Sequence, residues 1–242
     1  MRQMRRISFS ADLITGLLNF LYPSACPSCQ KHTDSLAFAP FCVACWRNMP
    51  QYSGPSCRIC GVPLVSSHAH CCRSCLERPP VFGHAASFGR YDATLASAIH
   101  HFKFLGIRRL SGPLAELLFF YNTSGINAIV PVPLSAEALR ERGFNQALLL
   151  AYRLSKNKRL PLIMDSLRKV VDTPPQVGLL AKERMANVRK AFACTGEVSG
   201  MNILLIDDVM TTGATLNACA GQLLAAGAQS VRVLTLARAA LP

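Results

Sequence analysis

The sequence predicts an α/β fold, a mostly parallel sheet flanked by helices, with a small β-rich domain before it. The chain has 242 residues, of which 50% are hydrophobic, enough to bury one ordinary core and a small appendage. Nine of the 11 cysteines lie between Cys26 and Cys75. Near the C-terminus, two apolar runs flank a helical pattern. We therefore predict an N-terminal helix at residues 1–23, a cysteine-rich domain at 24–78 and the α/β domain at 81–242.

The first 22 residues are basic at their start and then mostly apolar, which invites interpretation as a signal peptide. Asp12 and Asn19 interrupt the apolar run, and Leu13 and Leu17 have the spacing of an amphipathic helix. We therefore predict an amphipathic helix. No other stretch is long and apolar enough to cross a membrane, so the expected location is the cytoplasm.

Four CxxC pairs occupy the cysteine-rich domain and form two similar units. Two residues between cysteines let both sulfurs reach one metal ion, and two such pairs complete the tetrahedron that zinc prefers. The pattern predicts structural zinc ribbons that hold one or two Zn²⁺ ions, because four thiolates leave no position open for water. The predicted ligands are Cys26, Cys29, Cys42, Cys45, Cys57, Cys60, Cys72 and Cys75.

Other interpretations of these cysteines remain open. A disulfide framework suits a small secreted domain better than a chain whose remainder resembles a cytosolic α/β protein. Redox-active CxxC motifs do not occur four in tandem. Cys71 could replace Cys72 as a ligand, and His68 and His70 lie close enough to bind metal. Sequential pairing of the four half-sites is an assumption, and a crossed pairing is an alternative.

The apolar run Ile203 to Ile206 predicts a buried parallel strand, which ends at the two acids Asp207 and Asp208. A helical pattern then runs to Gly227, and the run Val231 to Leu236 predicts a second strand. This βαβ unit places its first loop at the carboxyl end of the sheet, where open α/β sheets bind ligands.

The loop after the acids has the composition of a phosphate site. Its residues are Thr211, Thr212, Gly213, Ala214 and Thr215. Glycine permits close approach of the backbone, threonine hydroxyls donate hydrogen bonds, and the start of a helix presents free N–H groups. An ordinary capped helix is the simpler alternative, but capping requires one such residue and not the whole set.

Asp207 and Asp208 would repel a phosphate, so we expect them to face neutral hydroxyls or a Mg²⁺ ion. A ligand with a phosphate, vicinal hydroxyls and a metal-bound diphosphate suits both halves of the motif. 5-Phosphoribosyl 1-diphosphate (PRPP) has this chemistry, and the motif resembles the signature of type I phosphoribosyltransferases. Upstream, Lys103 and the Arg140 to Gln146 stretch, which we expect at the start of a helix, supply cations for a diphosphate, unless they form a solvated basic surface.

The complete set of motifs resembles the ComF/GntX family of competence proteins. It comprises the CxxC pairs, Lys103, Val130-Pro131-Val132-Pro133-Leu134, RxRGFNQ from Arg140, then Thr173, Gln176, Leu180, Arg184, Asn187 and Phe192, and finally the Asp207 loop. The resemblance implies a type I phosphoribosyltransferase fold behind a double zinc ribbon, and a role in DNA uptake during transformation or in DNA utilisation. It further implies PRPP and Mg²⁺ as ligands.

By the same resemblance, Asp207 and Asp208 are the catalytic acids and contact the ribose hydroxyls. The resemblance places the 5′-phosphate at residues 211–215 and the diphosphate near Lys103, Val132 and Pro133. It makes residues 168–189 a mobile cover over the site. No nucleobase-binding hood is recognisable, so the acceptor of a pentosyl transfer stays open, as does turnover itself.

A second hypothesis is a non-catalytic module that binds single-stranded DNA and uses the pocket as a sensor or anchor for a ribose phosphate. The formal net charge of +13 favours polyanionic partners, and zinc ribbons often read nucleic acids. Phe38, Phe41 and Trp46 could stack on bases, or they could pack the core of the metal domain. A third possibility is docking on a helicase or another component of the DNA-uptake machinery.

Overall fold

A computed structural model describes residues 25–170 and 191–239. The helix predicted at residues 1–23 lies outside the described residues, as does most of the predicted cover at 168–189. In chain order, the described elements are α1 (Val43–Arg47), α2 (Arg73–Glu77), β1 (His84–Arg90), α3 (Ala93–Lys103), a 3-10 turn (Arg108–Leu110), α4 (Ser111–Glu116), β2 (Ala128–Pro131), α5 (Ala136–Arg142), α6 (Gln146–Lys158), β3 (Leu167–Lys169), β4 (Phe192–Cys194), β5 (Asn202–Met210), α7 (Ala214–Ala225) and β6 (Ser230–Arg238).

Four parallel strands form the central sheet in the order β1-β6-β5-β2. β3 and β4 form a separate antiparallel pair. The α/β fold with a parallel sheet and flanking helices is as predicted. The middle strands β5 and β6 are almost wholly buried, which explains their continuous apolar sequence.

Each face of the sheet carries its own apolar layer. On one face, side chains from α3, α4 and α6 pack against Leu204 and Ile206 of β5. On the other face, α7 packs against Ile203 and Leu205. The cysteine-rich region contributes to both layers, since Phe41 and Trp46 belong to the first layer and Val62 to the second. The unit that contains the first two CxxC pairs therefore packs on one face of the sheet, and the unit that contains the last two packs on the other.

Neighbouring segments cover both edges of the sheet. At the β1 edge, the amide of Ala85 donates to the carbonyl of Ile59 at 2.8 Å, and the amide of Tyr52 donates to Phe88 at 2.9 Å. At the β2 edge, the amide of Ile129 donates to the carbonyl of Pro161 at 2.8 Å. Some backbone groups of each edge strand thus have partners outside the sheet.

Several boundaries differ from the prediction. β5 does not end at the acids but continues to Met210, because β6 runs beside it as far as Arg238. The Arg140 to Gln146 stretch is not the start of one helix, since Gly143 at φ +71° ends α5 and α6 begins at Gln146. Described residues 25–78 contain less β-structure than predicted, with two isolated bridges and the short helices α1 and α2.

Among the helices of residues 25–170 and 191–239, none combines the length and the apolar character that a membrane crossing requires.

Candidate ligand-binding site and metal centres

Eight cysteines form two four-sulfur clusters. The first contains Cys26, Cys29, Cys42 and Cys45, and the second contains Cys57, Cys60, Cys72 and Cys75. Within each cluster the four Sγ atoms lie within 4.8 Å of one another. The Cys29 and Cys42 sulfurs are 3.7 Å apart, as are those of Cys60 and Cys72. Sulfurs bound to one zinc at about 2.3 Å are about 3.8 Å apart in a regular tetrahedron, so the clusters fit two zinc ions.

Local backbone geometry brings each pair of sulfurs together. The amide of Gln30 donates to the carbonyl of Cys26 at 2.8 Å, and Gly61 makes the equivalent bond to Cys57 at 2.9 Å. Gly61 has φ +67°, and a Cβ there would lie 2.8 Å from the carbonyl oxygen of Ala85, so the turn favours glycine. Cys42 caps α1 through a bond from the Cys45 amide to its sulfur at 3.4 Å.

The half-sites are paired sequentially, and the second cluster uses Cys72 and not Cys71. Neither His68 nor His70 belongs to a metal cluster found among the described residues. A zinc ion bound by four sulfurs has no open coordination position, so its role would be structural and not catalytic. Metal binding would supply folding free energy that the small cysteine-rich region lacks.

A cavity of about 500 Å³ opens at the carboxyl ends of β2 and β5. Seven of the predicted site residues line it, namely Lys103, Val132, Pro133, Asp207, Asp208, Thr211 and Thr215. Thr212, Gly213 and Ala214 belong to the same loop but do not line the cavity. Its volume lies in the usual range for a small-molecule site, about 300–1,000 Å³.

The two acids lie on successive positions of β5 and differ in environment. Lys103 Nζ lies 2.9 Å from one Asp208 oxygen and 3.1 Å from the other. Asp207 accepts a bond from the Asp208 amide at 2.8 Å. Burial and the charge of Asp208 raise the pKa of Asp207 to about 7, although Lys103 and Arg142 act in the opposite direction. Asp207 is therefore poised to change its protonation state near neutral pH.

The loop between β5 and α7 turns sharply at Gly213, which has φ +81° and is the N-cap residue of α7. A Cβ at this position would lie 2.6 Å from the end of the Met210 side chain. The amide of Ala214 donates to the Thr212 hydroxyl at 3.3 Å. Thr211 and Thr215 are exposed, so their hydroxyls are accessible from the cavity that they line.

The opposite wall of the cavity is the segment after β2. Its path is fixed by the bond from the Val132 amide to the carbonyl of Ile206 at 2.9 Å. Asn145 Nδ2 donates to the Val132 carbonyl at 3.0 Å, and Asn145 Oδ1 accepts from the Leu148 amide at 3.2 Å, which caps α6. One asparagine therefore ties this wall to the start of a helix.

Comparison with known proteins gives two domain matches. Residues 17–76 match the double zinc ribbon domain and residues 141–240 match the phosphoribosyl transferase domain. Competence protein F of Haemophilus influenzae is 31% identical over 92% of this chain and all of its own length. DNA utilization protein YhgH of Escherichia coli K12 is 33% identical over 75% of this chain and 83% of its own. The chain belongs to the ComF/YhgH family.

Another ComF/YhgH relative is competence protein ComFC of Bacillus subtilis, which is 32% identical over 81% of this chain and 83% of its own length. The predicted family is confirmed, as is the phosphoribosyltransferase-like α/β fold with its N-terminal zinc ribbons. The matched ribbon domain contains all eight clustered cysteines.

Several lining residues were not among the predicted site residues of this ComF/YhgH chain. They are Tyr91, Phe104, Ser135, Arg142, Asn145, Gln146, Lys169 and Phe192, among others. Arg142, Asn145 and Gln146 fall within RxRGFNQ, so their motif was already a signal. Ser135 follows a Pro-containing loop and caps α5, which is a recognisable N-cap pattern. Lys169 falls within the predicted cover at residues 168–189, whereas for Tyr91 the sequence has no comparable signal.

Proposed function

We propose that this chain binds PRPP with Mg²⁺ in the cavity at the carboxyl ends of β2 and β5, and acts in DNA uptake or DNA utilisation. One observation carries the proposal, which is that the threonine loop, the acid pair and Lys103 converge on a single cavity of about 500 Å³. The biological setting rests on the names of the relatives, Competence protein F and DNA utilization protein YhgH.

Each part of the ligand has a matching part of the site. Thr211 and Thr215 donate hydroxyl bonds to the 5′-phosphate at the start of α7, where the helix dipole favours an anion. Asp207 and Asp208 accept hydrogen bonds from the ribose hydroxyls. Lys103 and Arg142 contact the diphosphate, which would also bind the Mg²⁺.

Pentosyl transfer at this site needs no protein nucleophile. The lone pair of an acceptor forms a new bond to C1′ while the bond from C1′ to the diphosphate oxygen breaks, and the electron pair leaves with the diphosphate. Lys103 and Arg142 stabilise the charge that develops on the departing group. Most of the acceleration would come from positioning and charge stabilisation. The acceptor is unassigned.

Calorimetry with PRPP and Mg²⁺ tests the binding proposal. We expect saturable, Mg²⁺-dependent binding that is lost in the double variant Asp207→Asn/Asp208→Asn. The double variant Glu116→Gln/Asp165→Asn is a matched control, because it removes two exposed carboxylates outside the cavity and should bind as the unmodified chain does. Undiminished affinity in the first variant would refute the site assignment. A screen for diphosphate release with free bases, nucleotides and DNA ends then tests turnover.

The alternative function is a module that binds single-stranded DNA without turnover, with docking to a helicase or other uptake component as a further role. The net charge of +13 favours it. The positions of the aromatic side chains that could stack on bases weigh against this function. Phe41 and Trp46 are buried in the core, and Phe38 stacks on Trp46 with ring centroids 5.2 Å apart. DNA affinity that did not fall with added salt would count against this function.

A further inference from the structure

Arg238, the last residue of β6, joins the second cysteine cluster to the phosphate loop. Its Nε donates to the Cys60 carbonyl at 3.1 Å, and its Nη2 lies 3.9 Å from the Cys60 sulfur. Its Nη1 donates to the carbonyls of Met210 at 2.9 Å, Ala239 at 3.1 Å and Thr211. The side chain therefore bridges a metal ligand and the residues that begin the loop.

The guanidinium is deeply buried, since Arg238 is only 2% exposed. Within residues 25–170 and 191–239, the ion pairs are Arg73–Glu77, Arg90–Asp92 and Lys103–Asp208, and none of them includes Arg238. A buried cation without a compensating anion is strongly unfavourable. Four thiolates around one Zn²⁺ carry a formal net charge of minus two, so the loaded second cluster supplies the opposite charge beside the guanidinium.

The other side of Arg238 acts on the direction of the loop amides. A trans peptide unit is planar, with its C=O and N–H on opposite sides. Because the carbonyls of Met210 and Thr211 point at the guanidinium, the amides of Thr211 and Thr212 must point away from it. Thr211 is also a residue that lines the ligand cavity. Together with the bond from the Ala239 amide to the Met210 carbonyl at 2.9 Å, Arg238 thus fixes peptide orientation at the point where the phosphate loop begins.

We propose that Arg238 is a positioning residue that couples metal occupancy of the second cysteine cluster to ribose-phosphate binding at the loop. The loaded cluster holds the guanidinium, and the guanidinium holds the peptides before Gly213. The effect of metal occupancy on ligand affinity rests on the proposed ribose-phosphate function. Its effect on the order of the loop does not. The first cluster has no such link, as Arg238 contacts Cys60 and no cysteine of the first cluster.

Two cysteine variants, one in each cluster, and two arginine variants test the proposal in the zinc-containing full chain. Cys75→Ser weakens the second cluster, and Cys45→Ser is its counterpart in the first. Arg238→Lys keeps a positive charge but cannot donate to both sides. Arg232→Lys is the matched control on the same strand, because Arg232 donates to the Ser124 carbonyl and does not contact a cluster or the loop.

The first readout is the affinity for PRPP with Mg²⁺, measured by calorimetry with the zinc content of each variant. We expect Cys75→Ser and Arg238→Lys to lower the affinity at least tenfold, and Cys45→Ser and Arg232→Lys to change it less than threefold. Arg238→Lys should retain both zinc ions, which separates positioning from metal loss. Equal effects of the two cluster variants, or unchanged affinity in Arg238→Lys, would overturn the proposal.

The second readout is amide hydrogen exchange of residues 210–215, which needs no ligand. We expect at least tenfold faster exchange in this segment for Cys75→Ser and Arg238→Lys, with little change in β2 and β5 before the acids. If no variant binds PRPP but these rates change as expected, the proposed ligand is wrong and the coupling stands. If PRPP binds but loop exchange is the same in all variants, the coupling is wrong.

Discussion

The ion pair between Lys103 and Asp208 allows a quantitative test of the site. Lys103→Met removes the charge but keeps most of the apolar stem, and Asp208→Asn removes the partner charge at nearly constant volume. The Lys103 ammonium contacts both carboxylate oxygens, at 2.9 and 3.1 Å, and the two side chains are 23% and 5% exposed. The pair therefore lies largely out of water, and each single variant leaves one charge without its partner.

The expected magnitudes follow from this asymmetry of burial. Breaking a buried pair costs about 3–5 kcal/mol, and we expect the lower value, about 3 kcal/mol, for Lys103→Met because water reaches the lysine. Asp208→Asn should cost about 1.5 kcal/mol, because the remaining ammonium can turn toward solvent. The double variant leaves no unpaired charge and should cost about 2 kcal/mol, so the coupling energy is about 2.5 kcal/mol.

Urea unfolding of the zinc-containing protein measures the four free energies of the cycle. The exposed pair Arg90 and Asp92, at 3.5 Å with side chains 55% and 51% exposed, is the control, and its coupling should be below about 0.5 kcal/mol. A coupling equally small for Lys103 and Asp208 would refute the inference that the pair is buried and that Lys103 holds Asp208 at the cavity.

Four further outcomes are expected. Asp207 has its pKa raised to about 7, so PRPP affinity measured by calorimetry should increase from pH 6 to pH 8, and Asp207→Asn should flatten that profile. The same raised pKa disfavours the folded state above the usual carboxyl range, so Asp207→Asn should raise the melting temperature at pH 8 and have little effect near pH 4. Asn145→Ala should cost about 2 kcal/mol in urea unfolding through loss of a helix cap and of the bond to Val132, whereas Asn145→Asp should retain the cap and lose mainly ligand affinity. Gly213→Ala should cost about 1 kcal/mol from its positive φ, with displacement of Met210 and weaker PRPP binding as the check.

Much of the fold could be predicted because local patterns and tertiary environment agree. The apolar run at Ile203 to Ile206 is buried on both sides, and the helix and strand after it follow in the predicted order. The CxxC pairs are equally local, since two residues between cysteines fix how their sulfurs converge. To predict that Lys103, Val132 and the Asp207 loop converge on one cavity, the motifs of three separate segments had to be combined.

The features that could not be predicted depend on contacts between segments that are distant in the sequence. β5 extends beyond the acids because β6 accompanies it, and nothing in the residues from Asp207 to Met210 specifies that pairing. Tyr91 reaches the cavity only through the packing of the segment that carries it. Arg238 could be predicted only as one more surface cation, since its partner Cys60 lies 178 positions away in the chain.

The coverage of the β1 edge has a consequence for handling the protein. The amide of Ala85 donates to the carbonyl of Ile59 within the second cysteine unit, whose folding we expect to depend on its metal ion. Stripping the metal would release a strand whose outward amides and carbonyls can then pair with another copy of the chain. We therefore expect chelators to cause self-association and precipitation before the central sheet unfolds, and purification without chelator to prevent both.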